Sequence, residues 1–243
     1  MSMCKVLCVT NRHLAAGDFL KQIEKAAAAR VDGIILREKD MEEKEYQRLA
    51  EQVQSICVRS ETVLILHTCV RAARTLGVRR IHLPYEAFCK MEKADRDWFH
   101  MVGVSVHSVE AAAEAQKRGA AYLTAGHIFA TDCKKGVPPR GTGFLKAVCQ
   151  TAEIPVYAIG GITPENAGAC VQAGAEGVCL MSSLMQAEEP EALLRRCFSQ
   201  LPQVSVPSRP RLRLGKAIRN PPTVWVPPYH KGSSGTQARK YRA

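Results

Sequence analysis

Short runs of β-branched and other apolar residues recur along the chain, separated by longer segments with helical spacing. The runs fall at residues 6–10, 33–37, 63–66, 80–83, 102–105, 121–125, 156–159 and 177–181. Each has the length of a strand, and their alternation with helical patterns is the signature of βα units around a parallel sheet. Between them, residues 42–58 place Tyr46, Leu49, Val53 and Ile56 near one face of a helix. Ser108 reads as the N-cap of a helix running to Gly119, and Thr163 with Pro164 as the cap and first turn of another that Gly174 closes. The phrases RGAAYL and AGAEGVCL repeat one junction, a helix ending at glycine and passing through small residues into an apolar strand. Eight such units predict an α/β protein with a parallel sheet. The repetition favours closure into a single (β/α)8 TIM barrel, although a doubly wound open sheet has the same alternation.

Past Leu201 the pattern stops. Residues 203–243 combine proline, arginine and glycine without helical or strand period, and read as a disordered basic tail on a barrel formed by residues 1–202. The chain carries a net charge of +11, and the tail holds nine Lys or Arg and no Asp or Glu, so the barrel itself is left with +2. That is an ordinary value for an enzyme, and it argues against a nucleic-acid partner for the barrel. Ten cysteines are scattered without a CxxC pair, several in apolar runs such as GVCLM around Cys179, as befits free thiols in a reducing cytoplasm. The first residues lack the apolar segment of a secretory signal, and no apolar stretch approaches a membrane span. The expectation is a cytoplasmic enzyme with a small-molecule partner and no membrane partner; a homo-oligomer remains open.

In a parallel barrel, chemistry gathers where strands end and loops begin. Four strand ends there carry candidate groups: VSVHS, AGHIFATDCKKG, AIGGIT and CLMSS. Gly160 and Gly161 leave the seventh strand just before a helix, where backbone N–H groups can approach a phosphate. After the eighth strand, Met181, Ser182 and Ser183 offer amides and hydroxyls to the same group. A tight turn explains one glycine pair alone, but two such loops on adjacent strands point to a phosphate site. His127 follows Gly126 at the end of the sixth strand, and a histidine side chain there suits giving and taking protons. Arg37 and Lys39 follow the second strand and suit a carboxylate or a second phosphate, unless Glu38 or Asp40 pairs with them. His107 reads as a wall or capping residue.

At these residues the sequence resembles a known family. LREK, GVSVHS, AGHIFATDCKKG, IPVYAIGGITPEN and AGAEGVCLMSS, spread in order over about residues 5–200, are similar to the thiamine phosphate synthase/TenI superfamily, whose fold is (β/α)8. The resemblance implies a phosphorylated thiazole as ligand and offers two activities. Synthases of the family join a pyrimidine methyl pyrophosphate to a thiazole phosphate, using Mg2+ held by aspartates after the third and fourth strands. Here His67, Thr68 and Ala87 stand where the resemblance expects Asn and the two Asp, Glu86 is one position away, and Ile35 replaces a glutamine. The TenI branch, a thiazole tautomerase, lacks those aspartates and carries GH before IF, and this chain reads GHIFATDCKKG.

On that ground the sequence reading is the tautomerase. It is a metal-independent proton shift that aromatises a dihydrothiazole carboxylate phosphate in thiamin biosynthesis, with His127 as the acid–base residue. Arg37, Lys39 or Lys134 would take the carboxylate, and the amides near Gly161 and Ser182 the phosphate. No cofactor or metal is expected; Mg2+ enters only if the chain is a synthase. A non-catalytic thiazole-phosphate-binding regulator is the third reading. His67 departs from both branches and has no assigned role.

Overall fold

The computed structural model describes residues 4–199, and the expected tail at 203–243 lies outside the described residues. The eight strands are β1 (Lys5–Val9), β2 (Gly33–Leu36), β3 (Val63–His67), β4 (Arg80–Pro84), β5 (Met101–Val106), β6 (Tyr122–Gly126), β7 (Val156–Ile159) and β8 (Gly177–Leu180). All pair in parallel, and β1 bonds to both β2 and β8, so the sheet closes on itself and the doubly wound alternative is excluded. The helices are α1 (Phe19–Ala28), α2 (Glu43–Arg59), α3 (Val70–Leu76), α4 (Tyr85–Lys90), α5 (Lys93–Trp98), α6 (Val109–Lys117), α7 (Gly141–Thr151), α8 (Pro164–Gln172), α9 (Ser182–Met185) and α10 (Pro190–Ser199). Strand positions match the apolar runs to within a residue or so at each end. In α2 the inward face is carried by Tyr46, Ala50, Val53, Ile56 and Cys57. Leu49 is only partly buried.

Alternation along each strand sorts the core into two shells. Val6, Cys8, Ile34, Leu36, Leu64 and Leu66 face outward and pack under the helices. Leu7, Val9, Ile35, Val63 and Ile65 face inward, where Met101, Tyr122, Tyr157 and Cys179 join them to fill the barrel. The interior is a packed core rather than a pore, as small barrels require. Because the side-chain period is two, every residue on the inward phase that follows a strand is aimed at the mouth. That phase carries Arg37, His67, His82, Ser105, His107 and Thr124.

The large inward rings need space from their neighbours. Gly103 pairs in register with Tyr122, and a Cβ on Gly103 would lie 2.1 Å from the Tyr122 ring. The missing side chain on β5 therefore accommodates the tyrosine of β6. Tyr122 meets Tyr157 edge to face, with centroids 5.6 Å apart. Gly103→Ala should force that ring off its position and cost about 1–3 kcal/mol, the usual range for overpacking. Urea denaturation of the variant checks this, and a midpoint equal to wild type would show that the ring has room to move.

Candidate functional site

Two hydrogen-bonded ties hold the ends of β1, β2 and β3 together. The Tyr46 hydroxyl, on α2, donates to the Leu36 carbonyl at 2.7 Å and accepts from the His67 amide at 3.1 Å. The Thr10 hydroxyl donates to Glu38 at 2.6 Å and accepts from the Arg37 amide at 2.9 Å. Glu38 is buried and also takes the Arg12 amide at 3.0 Å and the Arg12 guanidinium at 3.4 Å. Asp40 binds the same guanidinium at 2.6 and 2.8 Å and His13 at 2.7 Å. Both acids thus hydrogen-bond Arg12 rather than Arg37, although Glu38 stays close enough to favour the charged form of Arg37.

Arg37 is left half-buried, and its guanidinium makes no hydrogen bond or ion pair among the described residues. Burial lowers its pKa. Lys39 is depressed chiefly by Arg37, then by its own burial and by Lys134, which places Lys39 within electrostatic reach of both other cations. Lys134 belongs to the short helical turn Asp132–Lys134 in the loop after β6, and Cys133 of that turn lies near Arg37.

Beneath the cations sits a polar floor. His67, buried, stacks on His82 with centroids 6.0 Å apart. His82 is bonded at both ring nitrogens, Nδ1 to the Tyr122 hydroxyl at 2.9 Å and Nε2 to the Ser105 hydroxyl at 2.8 Å. Tyr122 is fully buried and has no other acceptor for its proton, so it donates to Nδ1; the His82 proton then resides on Nε2 and points at Ser105. Ser105 also accepts from Thr124 at 3.0 Å, which leaves its own half-buried O–H for a ligand. Burial pushes His82 down to about 3, with His67 and Arg37 adding to the effect. His67 is likewise pushed down to about 3, by burial and then by Arg37 and Lys39. Both rings are neutral at pH 7.

The loops after β6, β7 and β8 complete the mouth. His127 is buried, and its Nε2 donates to the Val137 carbonyl of its own loop at 3.2 Å. His107 Nδ1 donates to the Gly126 carbonyl at 2.6 Å, in keeping with a wall residue. Gly160 and Gly161 have φ of +99° and +64°. A Cβ on Gly160 would lie 2.3 Å from the His127 Cβ, and one on Gly161 the same distance from the Ala130 carbonyl. The glycine pair therefore lets the β6 and β7 loops touch, a packing reason that stands whatever the ligand. Thr163 and Asn166 form a capping box at the start of α8. Met181 packs on the barrel interior, and Ser182 and Ser183 open α9, with first-turn amides that have no acceptor within the helix.

The residues do not fit the family's metal. The Thr68 hydroxyl donates to its neighbour's carbonyl at 2.7 Å, Ala87 has no ligating atom, and Glu86 is exposed on α4. Among the described residues no group of three or more His, Cys, Asp or Glu could hold a metal ion. Sequence reasoning assigned no site role to His82, Ser105, Thr124, Tyr46 and Thr10. Their signal was a polar residue on the inward phase of a strand, or one positioned to tie strand ends.

A closed (β/α)8 barrel gathers its functional groups at the C-terminal end of its strands, and here that end carries cations over a neutral polar floor. Residues 6–184 match the family model described as thiamine monophosphate synthase, and the chain belongs to that family. "Thiamine-phosphate synthase 2" of Streptococcus pneumoniae is 34% identical over 203 residues, covering 81% of this chain and 95% of that protein. "Putative thiamine-phosphate synthase 2" of Aquifex aeolicus is 31% identical, covering 76% of this chain and all of its own length. The thiamine phosphate pyrophosphorylase structure from Pyrococcus furiosus superposes with a TM-score of 0.69 at 25% identity, covering 81% of this chain and 94% of that one. The chain is thus an enzyme of thiamine biosynthesis.

These relatives correct the tautomerase reading. Proteins that are 30–34% identical over most of the chain are named as synthases, so GHIFATDCKKG does not mark the tautomerase branch here. No helix among the described residues is long and apolar enough to cross a membrane.

The buried imidazoles predict an acid-sensitive fold. Their folded pKa values lie below the unfolded value near 6.5, so below that pH the unfolded chain binds protons first. Stability is therefore fully present above about pH 6.5 and is lost as pH falls toward 3, by about 1 kcal/mol or slightly more per histidine per pH unit. Urea denaturation at pH 7 and pH 5 should show a smaller loss for His82→Asn than for wild type. An equal loss would assign the acid sensitivity to other groups.

Proposed function

We propose that the chain is a thiamine-phosphate synthase, a transferase that joins a pyrimidine methyl pyrophosphate to a thiazole phosphate. The observation that carries this reading is the half-buried Arg37, without a hydrogen bond or ion pair among the described residues, beside Lys39, itself within electrostatic reach of Lys134, at the mouth of a barrel whose relatives are named for this reaction. In that chemistry the thiazole nitrogen lone pair forms a bond to the pyrimidine methylene carbon, while the bond from that carbon to the pyrophosphate oxygen breaks. The electron pair leaves with the pyrophosphate, and no proton moves between carbons. The demands on the protein are a cationic receptor for the leaving group and correct placement of two rings.

Arg37, Lys39 and Lys134 would receive the pyrophosphate, Arg37 through its planar fork. Neutral His82 with the spare Ser105 hydroxyl offers hydrogen bonds to a heteroaromatic ring without adding charge. The amides near Gly161 and Ser182, with the hydroxyls of Ser182 and Ser183, would take the thiazole phosphate. The missing carboxylates at Thr68 and Ala87 favour one second reading, a barrel that binds these ligands without turnover.

Incubation with both substrates, followed by chromatography for thiamine phosphate and an assay for released pyrophosphate, tests the proposal. The two products should appear in equal amounts, and Arg37→Met should lower kcat/KM by about 100-fold or more. Saturable binding of both substrates with neither product, with or without Mg2+, would replace the synthase by the non-catalytic reading.

A further inference from the structure

The cup departs from the metal-dependent pattern of its family in a coordinated way. Both positions where aspartates are expected are uncharged, Thr68 and Ala87, and the position of the associated asparagine is His67. Thr68 adopts a left-handed φ of 62° and turns its hydroxyl onto the His67 carbonyl, away from any ligand set. His67 lies on the inward phase at the end of β3, between the His82 ring and the cations of β2. Its amide is fixed by Tyr46, whereas its ring nitrogens make no hydrogen bond among the described residues and are not sealed from the mouth.

The charged groups of the cup come from two segments. Arg37 and Lys39 follow β2, and Lys134 sits on the loop after β6 together with Asp132 and Cys133. Glu38, also after β2, is spent on Thr10 and Arg12. A cup with three cations, of which Arg37 is offset only in part by Glu38, and with an imidazole whose ring makes no hydrogen bond among the described residues, offers a divalent cation no carboxylate pair. Mg2+ would meet repulsion from Arg37, Lys39 and Lys134 and find no carboxylate pair to offset it.

We propose that this barrel binds a pyrophosphate-class anion directly on its own side chains, without a divalent metal, and that His67 supplies a ligand contact in place of the lost metal site. The proposal rests on the anion-binding part of the preceding reading, not on turnover. A metal-free cup would hold free pyrophosphate more tightly than its magnesium complex, because the metal removes negative charge that the cations seek.

Isothermal titration of the full chain with inorganic pyrophosphate, in EDTA and then with Mg2+ in excess, tests it. One equivalent should bind in EDTA, and Mg2+ should leave the affinity unchanged or weaken it. His67→Asn should weaken binding in EDTA by about tenfold, the loss of one hydrogen bond to a charged group, with the thermal unfolding midpoint retained. His67→Gln, which keeps an N–H donor, should recover part of that loss. Binding that requires Mg2+, or no binding in either condition, would overturn the proposal. Binding in EDTA that is indifferent to His67→Asn would place the anion elsewhere, for instance on the arginines after Pro202, and would overturn it as well. Because no step depends on catalysis, failure to make thiamine phosphate leaves this result independent.

Discussion

The His82 ring is held at both nitrogens, by Tyr122 from below and Ser105 from the side, and this pair of hydrogen bonds joins the packed interior of the barrel to its mouth. Tyr122 sits where Gly103 leaves room, so the geometry of the floor is set by side-chain volume deep in the core. A polar group this deeply buried is tolerated because its hydrogen-bonding capacity is met. The same burial keeps the imidazole uncharged, which preserves the contrast between a neutral floor and a cationic rim.

The rim has the opposite character. Lys39 is repelled by both Arg37 and Lys134, and the two nearby acids hydrogen-bond Arg12, so that Glu38 relieves Arg37 only at a distance. Strand parity accounts for the division. Arg37 falls on the inward phase, while Glu38 falls on the outward phase, where Thr10 and the Arg12 amide reach it. Local stability is given up for an electrostatic field aimed into the cup, the arrangement expected where a charged ligand completes the structure.

Most of the fold was legible in the chain because β and α segments differ in period as well as composition. The eight apolar runs marked the strands, and Ser108 and Thr163 marked helix starts by capping chemistry. Closure of the sheet was favoured by repetition, but only the β1 to β8 pairing decides it. At the site, Arg37, Lys39 and Lys134 were visible as charges at strand ends. That Glu38 and Asp40 hydrogen-bond Arg12 instead of these cations was not, because pairing with Arg12 spans more than 25 residues of sequence. His82 was passed over inside an apolar strand, and Ser105 was quoted within VSVHS without a role of its own, because the inward phase that marks both is fixed only once the strand faces are known. The glycine pair at 160 and 161 read as a phosphate loop, yet its structural reason is contact with the β6 loop. The GH of GHIFATDCKKG misled most, since a short motif suggested a branch that the relatives over the whole barrel do not support.

The central claim is that the cup formed by Arg37, Lys39 and Lys134 is a receptor for a pyrophosphate group. A crystal structure grown with pyrophosphate and the thiazole phosphate in the presence of EDTA tests it most directly. The account predicts pyrophosphate oxygens within hydrogen-bond distance of Arg37 and at least one of the two lysines, with the thiazole phosphate separate, at the start of α8 and α9. Pyrophosphate seated away from Arg37, or a cup that stays empty while the loops after β7 and β8 are filled, would contradict it.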